Sequence, residues 1–219
     1  MICGSYKLKV LSNNEAEIKA FADFANGKLE IPEELGGYKI VSIGEDAFKG
    51  CEGLTYVVLP FTIREVKYRA FSECKDLRTV ILNEGLENIK GSAFSWCKTL
   101  ETINFPNTLE EIGNFAFLDC ENIKNIKIPP LVKVIKRETF RGCIKLSDVL
   151  LPEGLETIEQ DAFNKCNSLL SVIIPKTVNK LEKPLVYGPF PPKTVLKCYP
   201  GSEAVAIARQ LGYKVERAN

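Results

Sequence analysis

The chain has 219 residues, with 29 Lys and Arg against 28 Asp and Glu. That near-balance excludes a dedicated nucleic-acid binder, which needs a large cationic excess to neutralise phosphates. A composition of 45% hydrophobic and 26% charged residues is that of a folded chain, and the absence of histidine removes the commonest general base, the commonest zinc ligand and every Ser-His or Cys-His pair.

At the amino terminus, Met1-Ile2-Cys3-Gly4-Ser5 lacks the apolar run of a secretory signal. Cys3-Gly4 reads either as a plain start or as the remnant of a lipid-anchored one. No stretch approaches the roughly 20 apolar residues of a membrane-spanning helix, so no membrane span is expected.

From there the chain repeats. Phe48, Phe71, Phe94, Phe117, Phe140 and Phe163 recur every 23 residues, as do Cys51, Cys74, Cys97, Cys120, Cys143 and Cys166. In the same register stand Leu54, Leu77, Leu100, Ile123, Leu146 and Leu169, then Val57, Val80, Ile103, Ile126, Val149 and Val172, then Leu59, Leu82, Phe105, Ile128, Leu151 and Ile174. An L-x-x-L-x-L core with a period between about 20 and 29 residues is the leucine-rich-repeat signature. Rungs of this kind bury a core only by stacking on one another.

One rung explains itself. Val57 and Leu59 point the same way, as the period of 2 in a strand requires. Pro60 lacks an N–H and ends the strand, and Ile63 and Val66 return to the core in a second short extended piece. Asp46-Ala47-Phe48 and its equivalents are expected to form a tight helical turn, with Ala allowing close approach and Phe filling the outer core.

None of the six in-register cysteines lies in a C-x-x-C pair, and no histidine completes a zinc set. They read as buried thiols acting as small hydrophobes. Disulfides between neighbouring rungs and a metal or redox line are the alternatives. No metal site and no cofactor are expected.

Beyond the repeats, Pro184-Leu185-Val186-Tyr187-Gly188-Pro189-Phe190-Pro191-Pro192 replaces the turn of a seventh rung with an extended loop, either a lid over the last rung or a recognition loop. Ser202 is a helix N-cap candidate, Ala204, Val205, Ile207, Ala208 and Leu211 follow at helical spacing, and Gly212 is a natural stop. A short strand over Tyr213 to Glu216 is expected next. Caps are required because a bare solenoid end exposes a sheet edge and a core cross-section.

The pattern L-x-x-I-x-I-P-x-x-L-x-x-I-x-x-x-A-F-x-x-C over residues 38 to 183 resembles the BspA-like, or treponemal-type, leucine-rich-repeat family. Ala16-Glu17-Ile18, Leu29-Glu30-Ile31-Pro32 and Gly37-Tyr38-Lys39-Ile40-Val41-Ser42-Ile43 are similar to its amino-terminal cap and first rung, and Cys198-Tyr199-Pro200-Gly201-Ser202-Glu203-Ala204 to its usual ending. The resemblance implies secreted or surface-displayed proteins, many from host-associated microbes, that bind other proteins and carry no catalytic residues. The expected architecture is α/β: a right-handed, horseshoe-like leucine-rich-repeat solenoid with a parallel sheet on its concave face. Its divisions are a cap over 1–37, the solenoid over 38–183 and a cap over 184–219, all one domain.

Two columns face away from the core on the strands. One is Tyr56, Thr79, Thr102, Asn125, Asp148 and Ser171; the other is Val58, Ile81, Asn104, Lys127, Leu150 and Ile173. The four aliphatics of the second column read either as a partner surface or as β-branched strand formers. The candidate partner-binding residues are therefore Tyr56, Val58, Ile81, Asn104, Lys127, Leu150 and Ile173. A secondary set comprises Trp96, as interface anchor or packing cover, and Lys133, Lys136, Arg137 and Arg141. These four belong to a basic belt with Lys124, Lys127 and Lys145 that is either a solvated face or an attractor of a sulfated glycan or acidic protein. The expectation is a non-enzymatic, extracellular or cell-surface binding module of adhesin type, its partner a host matrix or surface protein. The alternative is a structural spacer or self-assembly unit. Carboxylates scattered by the repeat form no recognisable catalytic pair.

Overall fold

The computed structural model describes residues 1–11, 14–22, 27–182 and 188–218. The rungs wind into a leucine-rich-repeat solenoid whose faces each carry one part of the 23-residue unit. The long-strand face stacks Gly27–Glu30, Leu54–Val58, Thr79–Ile81 and Thr102–Asn104 in parallel, then Asn125–Lys127 with Asp148–Leu150, then Ser171–Ile174 with Val195–Cys198 and Val215–Arg217. Register follows the period, Val57 facing Val80, Val80 facing Ile103, and Ile126 facing Val149.

The second extended piece of each rung forms a face of its own. Glu15–Phe21, Tyr38–Ile43, Glu65–Val66, Asn88–Ile89 and Glu111–Ile112 pair in parallel, as do Val134–Ile135, Thr157–Ile158 and Lys180–Leu181. At the amino-terminal end this sheet is closed by antiparallel strands, Ile2–Cys3 on Tyr6–Val10 on Glu15–Phe21. Antiparallel pairing breaks the parallel repeat and covers the edge that stacking would leave open.

The third face is not helical, contrary to the sequence expectation. In the first rung the amides of Ala47, Lys49 and Cys51 donate three residues back, to Gly44, Asp46 and Phe48, whereas those of Asp46, Phe48 and Gly50 donate to Tyr68, Ala70 and Ser72 of the next rung. A helix would direct all of these bonds within its own segment. Alternation is possible because two positions per rung are left-handed. Asp46, Arg69, Ser92, Phe115, Glu138 and Asp161 hold φ between 51° and 61°. Glu73, Trp96, Asp119 and Lys165 hold φ between 55° and 64°, with Gly50 and Gly142 in the same column.

Between the faces the core is layered. Leu54, Val57, Leu59, Ile63, Val66 and Phe71 and their equivalents are buried, except that Phe105 and Leu151 in the Leu59 column are half-buried. The six repeat phenylalanines form one column, with neighbouring rings 4.9 to 5.5 Å apart and within 12° of parallel. That separation matches the roughly 4.8 Å spacing of strands, so one backbone period sets one ring contact. Each such pair adds about 0.5–1.5 kcal/mol beyond its buried area.

Phe190 continues the column on Phe163 at 5.2 Å and 2°, although it follows Phe163 by 27 residues rather than 23. Of the Pro-rich loop, Gly188 to Pro192 are described, and Pro189 to Pro191 are buried. The reading of Pro184 to Tyr187 lies outside the described residues. The terminal helix runs over Glu203–Gln210 with Gly212 at φ 81° beyond it, and the last strand is Val215–Arg217. Ser202 occupies the N-cap, but its hydroxyl donates to the Tyr199 carbonyl at 2.9 Å instead of capping a helix amide.

Candidate interaction faces

On the long-strand face exposure is uneven along the solenoid. Val58 and Ile81 are half-buried, as is Tyr56, whose ring lies 5.2 Å from the Lys28 ammonium. Asn104 and Lys127 are exposed. Leu150 and Ile173 are 54% and 51% exposed, and Leu170, just ahead of the Ile173 strand, reaches 69%. The aliphatic column is thus an open apolar surface only in its carboxy-terminal half. Sequence reasoning missed Leu170, whose period mates Arg78, Glu101, Lys124 and Ser147 are polar.

The second sheet carries charge in series. Lys19 and Lys67 both pair with Glu17, Lys67 and Lys90 with Glu65, and Lys90 and Lys136 with Glu111. Ser42 also donates to the Glu17 carboxylate, which is almost fully buried. Burial pushes Glu17 up, yet the Lys67 bond and charge hold it below the usual carboxylate range. Glu111 is likewise lowered by Lys136 and Lys90 against its own burial. Gly113 stands between Lys90 and Lys136 in their column; with no side chain there, both ammonium groups reach Glu111, at 2.8 and 2.5 Å.

The basic belt is divided by the winding of the rungs. Lys136 is the end of that charge series, while Arg137 and Arg141 both pair with the buried Glu138 carboxylate, at 3.2 and 2.6 Å. Lys133 extends over Gly154 and stays exposed, as do Lys124, Lys127 and Lys145.

On the turn face Trp96 is 44% exposed at φ 64°, with the Lys98 ammonium 5.4 Å from its ring. Lys98 is itself tied to Glu121 at 2.8 Å. Glu73, Lys75, Trp96 and Lys98 line a shallow depression.

All eight cysteines are thiols. Those of Cys74, Cys97, Cys120, Cys143 and Cys166 donate to the carbonyl of the phenylalanine one rung earlier, at 3.0 to 3.4 Å. Burial pushes Cys97, Cys120, Cys143 and Cys166 far above the ordinary thiol range, which keeps the proton this bond requires. Among the described residues no group of three or more Cys, Asp or Glu side chains is arranged to hold a metal ion, and no helix is long and apolar enough to cross a membrane.

Stacked rungs with a leucine-type core, a short second sheet and a phenylalanine column define a leucine-rich-repeat protein. A family model described as the BspA type leucine rich repeat region, in six copies, matches residues 14–147 and 70–188, and the chain belongs to that family. Among solved structures it is similar to a leucine-rich-repeat protein from Bacteroides ovatus, with 27% identity and a TM-score of 0.73 over 90% of this chain and 55% of that one. A leucine rich cell surface protein from Faecalibacterium prausnitzii shares 24% identity, with a TM-score of 0.78 over 90% and 54%. The leucine-rich-repeat protein of T. pallidum shares 23%, with a TM-score of 0.63 over 100% and 98%. The chain therefore spans about half the length of the first two. No curated protein matches it significantly.

Proposed function

We propose that this chain is a non-enzymatic binding module, displayed outside the cell, whose long-strand face receives a protein partner. The observation that carries the reading is the adjacent exposure of Leu150 and Ile173, each more than half open to solvent on neighbouring strands of consecutive rungs. Two such side chains covered by a partner contribute on the order of 1.5–3 kcal/mol each when fully buried. A rigid sheet loses little entropy on presenting them. The basic belt supports a sulfated glycan less well, since Lys136, Arg137 and Arg141 already hold carboxylates.

The test is capture by the immobilised chain from a panel of purified matrix proteins, plasma proteins and sulfated glycans at low and high salt. A protein that binds the native chain and loses at least tenfold in affinity against the Leu150→Ser, Ile173→Ser double variant supports the reading. Equal binding to both chains contradicts it, and glycan binding abolished by salt transfers the role to the free lysines.

A further inference from the structure

The strand face carries a pattern specific enough to define what lies on it. Leu150 faces Lys127 in register on one side, and Ile173 faces Lys197 on the other. Along the solenoid axis the outward column therefore reads cation, aliphatic, aliphatic, cation. Among the described residues neither lysine has a carboxylate within 4 Å. The carboxylate in register with Lys197 is that of Glu216, which Lys214 holds at 2.8 Å. One anion, Asp148, stands beside the apolar pair in the neighbouring outward column.

We propose that this surface receives an extended segment of a partner protein bearing carboxylate, large apolar and carboxylate side chains at alternate positions; the proposal rests on the strand-face reading above. The spacing follows from backbone dimensions. Lys127 and Lys197 are three rungs apart, about 14 Å at roughly 4.8 Å per strand. In an extended chain, residues i, i+2 and i+4 share one face, and i to i+4 spans about 13–14 Å at 3.3–3.4 Å per residue. A segment lying along the solenoid axis thus sets its outer carboxylates over the two lysines and its middle side chain over Leu150 and Ile173.

Charge selects this occupant over others. A wholly apolar segment strands two ammonium groups on desolvation. A second copy docking through the same patch by a two-fold axis brings lysine against lysine. A sulfated glycan satisfies the lysines and leaves the aliphatics uncovered.

The experiment is a fluorescence-anisotropy titration of the full chain with labelled Thr-Glu-Thr-Phe-Thr-Glu-Thr. Two control peptides accompany it, one with both Glu replaced by Lys and one of unchanged composition with the two Glu adjacent. The proposal predicts at least tenfold tighter binding of the first peptide than of either control. It also predicts a tenfold loss in the Leu150→Ser, Ile173→Ser variant, and a reversed preference for the lysine peptide in the Lys127→Glu, Lys197→Glu variant. Each variant is checked for an unchanged melting temperature. Equal binding of the two Glu peptides, or no reversal on charge exchange, overturns it. So does a concentration-dependent dimer in sedimentation velocity that the serine variant abolishes, or a heparin fragment that displaces the peptide and binds the serine variant unchanged. If the peptides fail while a captured protein still requires Leu150 and Ile173, the recognition chemistry falls and the face stands; if that protein ignores both, the face itself falls.

Discussion

The Tyr213 hydroxyl donates to the Phe190 carbonyl at 2.9 Å and accepts the Phe190 amide at 3.1 Å. In the rungs of Phe48 to Phe140, those roles belong to the next rung's backbone carbonyl, which takes the Phe amide, and to its cysteine thiol, which donates to the Phe carbonyl. One phenol therefore stands in for a missing rung, and its ring meets Phe190 edge-on at 6.1 Å and 87°, ending the parallel stack. Burial pushes its pKa up to about 12, so the hydroxyl keeps its proton.

Tyr213→Phe leaves the ring and removes both bonds, orphaning a buried amide and carbonyl. The expected cost is about 1–3 kcal/mol, read as a lowered urea midpoint. Faster hydrogen exchange at the Phe190 amide should accompany it, since that donor loses its acceptor.

Much of this was legible in the sequence, because a strict 23-residue register leaves a leucine-type rung little choice of what to bury. The ends were not, for a physical reason. Phe190 sits 27 residues after Phe163, and Phe21 sits 27 before Phe48, so each four-residue excursion breaks the period while the rings stay in contact, stacked at Phe190 and tilted by 31° at Phe21. Tyr213 lies 23 residues after Phe190, a resumed register that could have been found. The left-handed columns were hidden because only Gly50 and Gly142 announce them. Elsewhere inter-rung hydrogen bonds hold Arg, Phe, Trp and Glu where isolated residues avoid the conformation. Val58, half-buried where Leu150 is exposed, faces Glu30 of a strand outside the repeat in register, a neighbour that periodicity does not encode.

Alkylation of the native chain should discriminate among the eight thiols. Cys74, Cys97, Cys120, Cys143 and Cys166 are fully buried, and thiolates, not thiols, react. Mass spectrometry after brief iodoacetamide treatment should find label at Cys3 and Cys51, the two half-exposed positions. Rapid stoichiometric labelling of Cys120 without denaturant would contradict the packed thiol column.

Gly113→Ala tests the close approach beneath the charge series. A Cβ there would meet the Gly91 nitrogen at 2.5 Å and the Lys90 carbonyl carbon at 2.7 Å, both backbone atoms. Overpacking of this kind costs about 1–3 kcal/mol. Calorimetry should show a lowered Tm, and a Tm equal to that of the native chain would place the rungs further apart than described.

Stability should be flat around neutrality and fall in acid. With no histidine, no side chain of ordinary pKa titrates between pH 6 and 8. Glu17 and Glu111 have folded pKa values below their unfolded ones. Their contribution is therefore complete above the unfolded glutamate value of about 4.3 and is lost as pH falls through the folded values. Urea midpoints should agree at pH 6, 7 and 8 and decline below about pH 4.5.

The most direct test of the central claim is hydrogen exchange of the chain with and without a protein captured from the panel. The account predicts slowed exchange concentrated in residues 148–150 and 171–174, around Leu150 and Ile173, with the Trp96 turn unchanged. Protection confined to residues 92–98, with both strands exchanging as in the free chain, would contradict it and place the partner on the turn face.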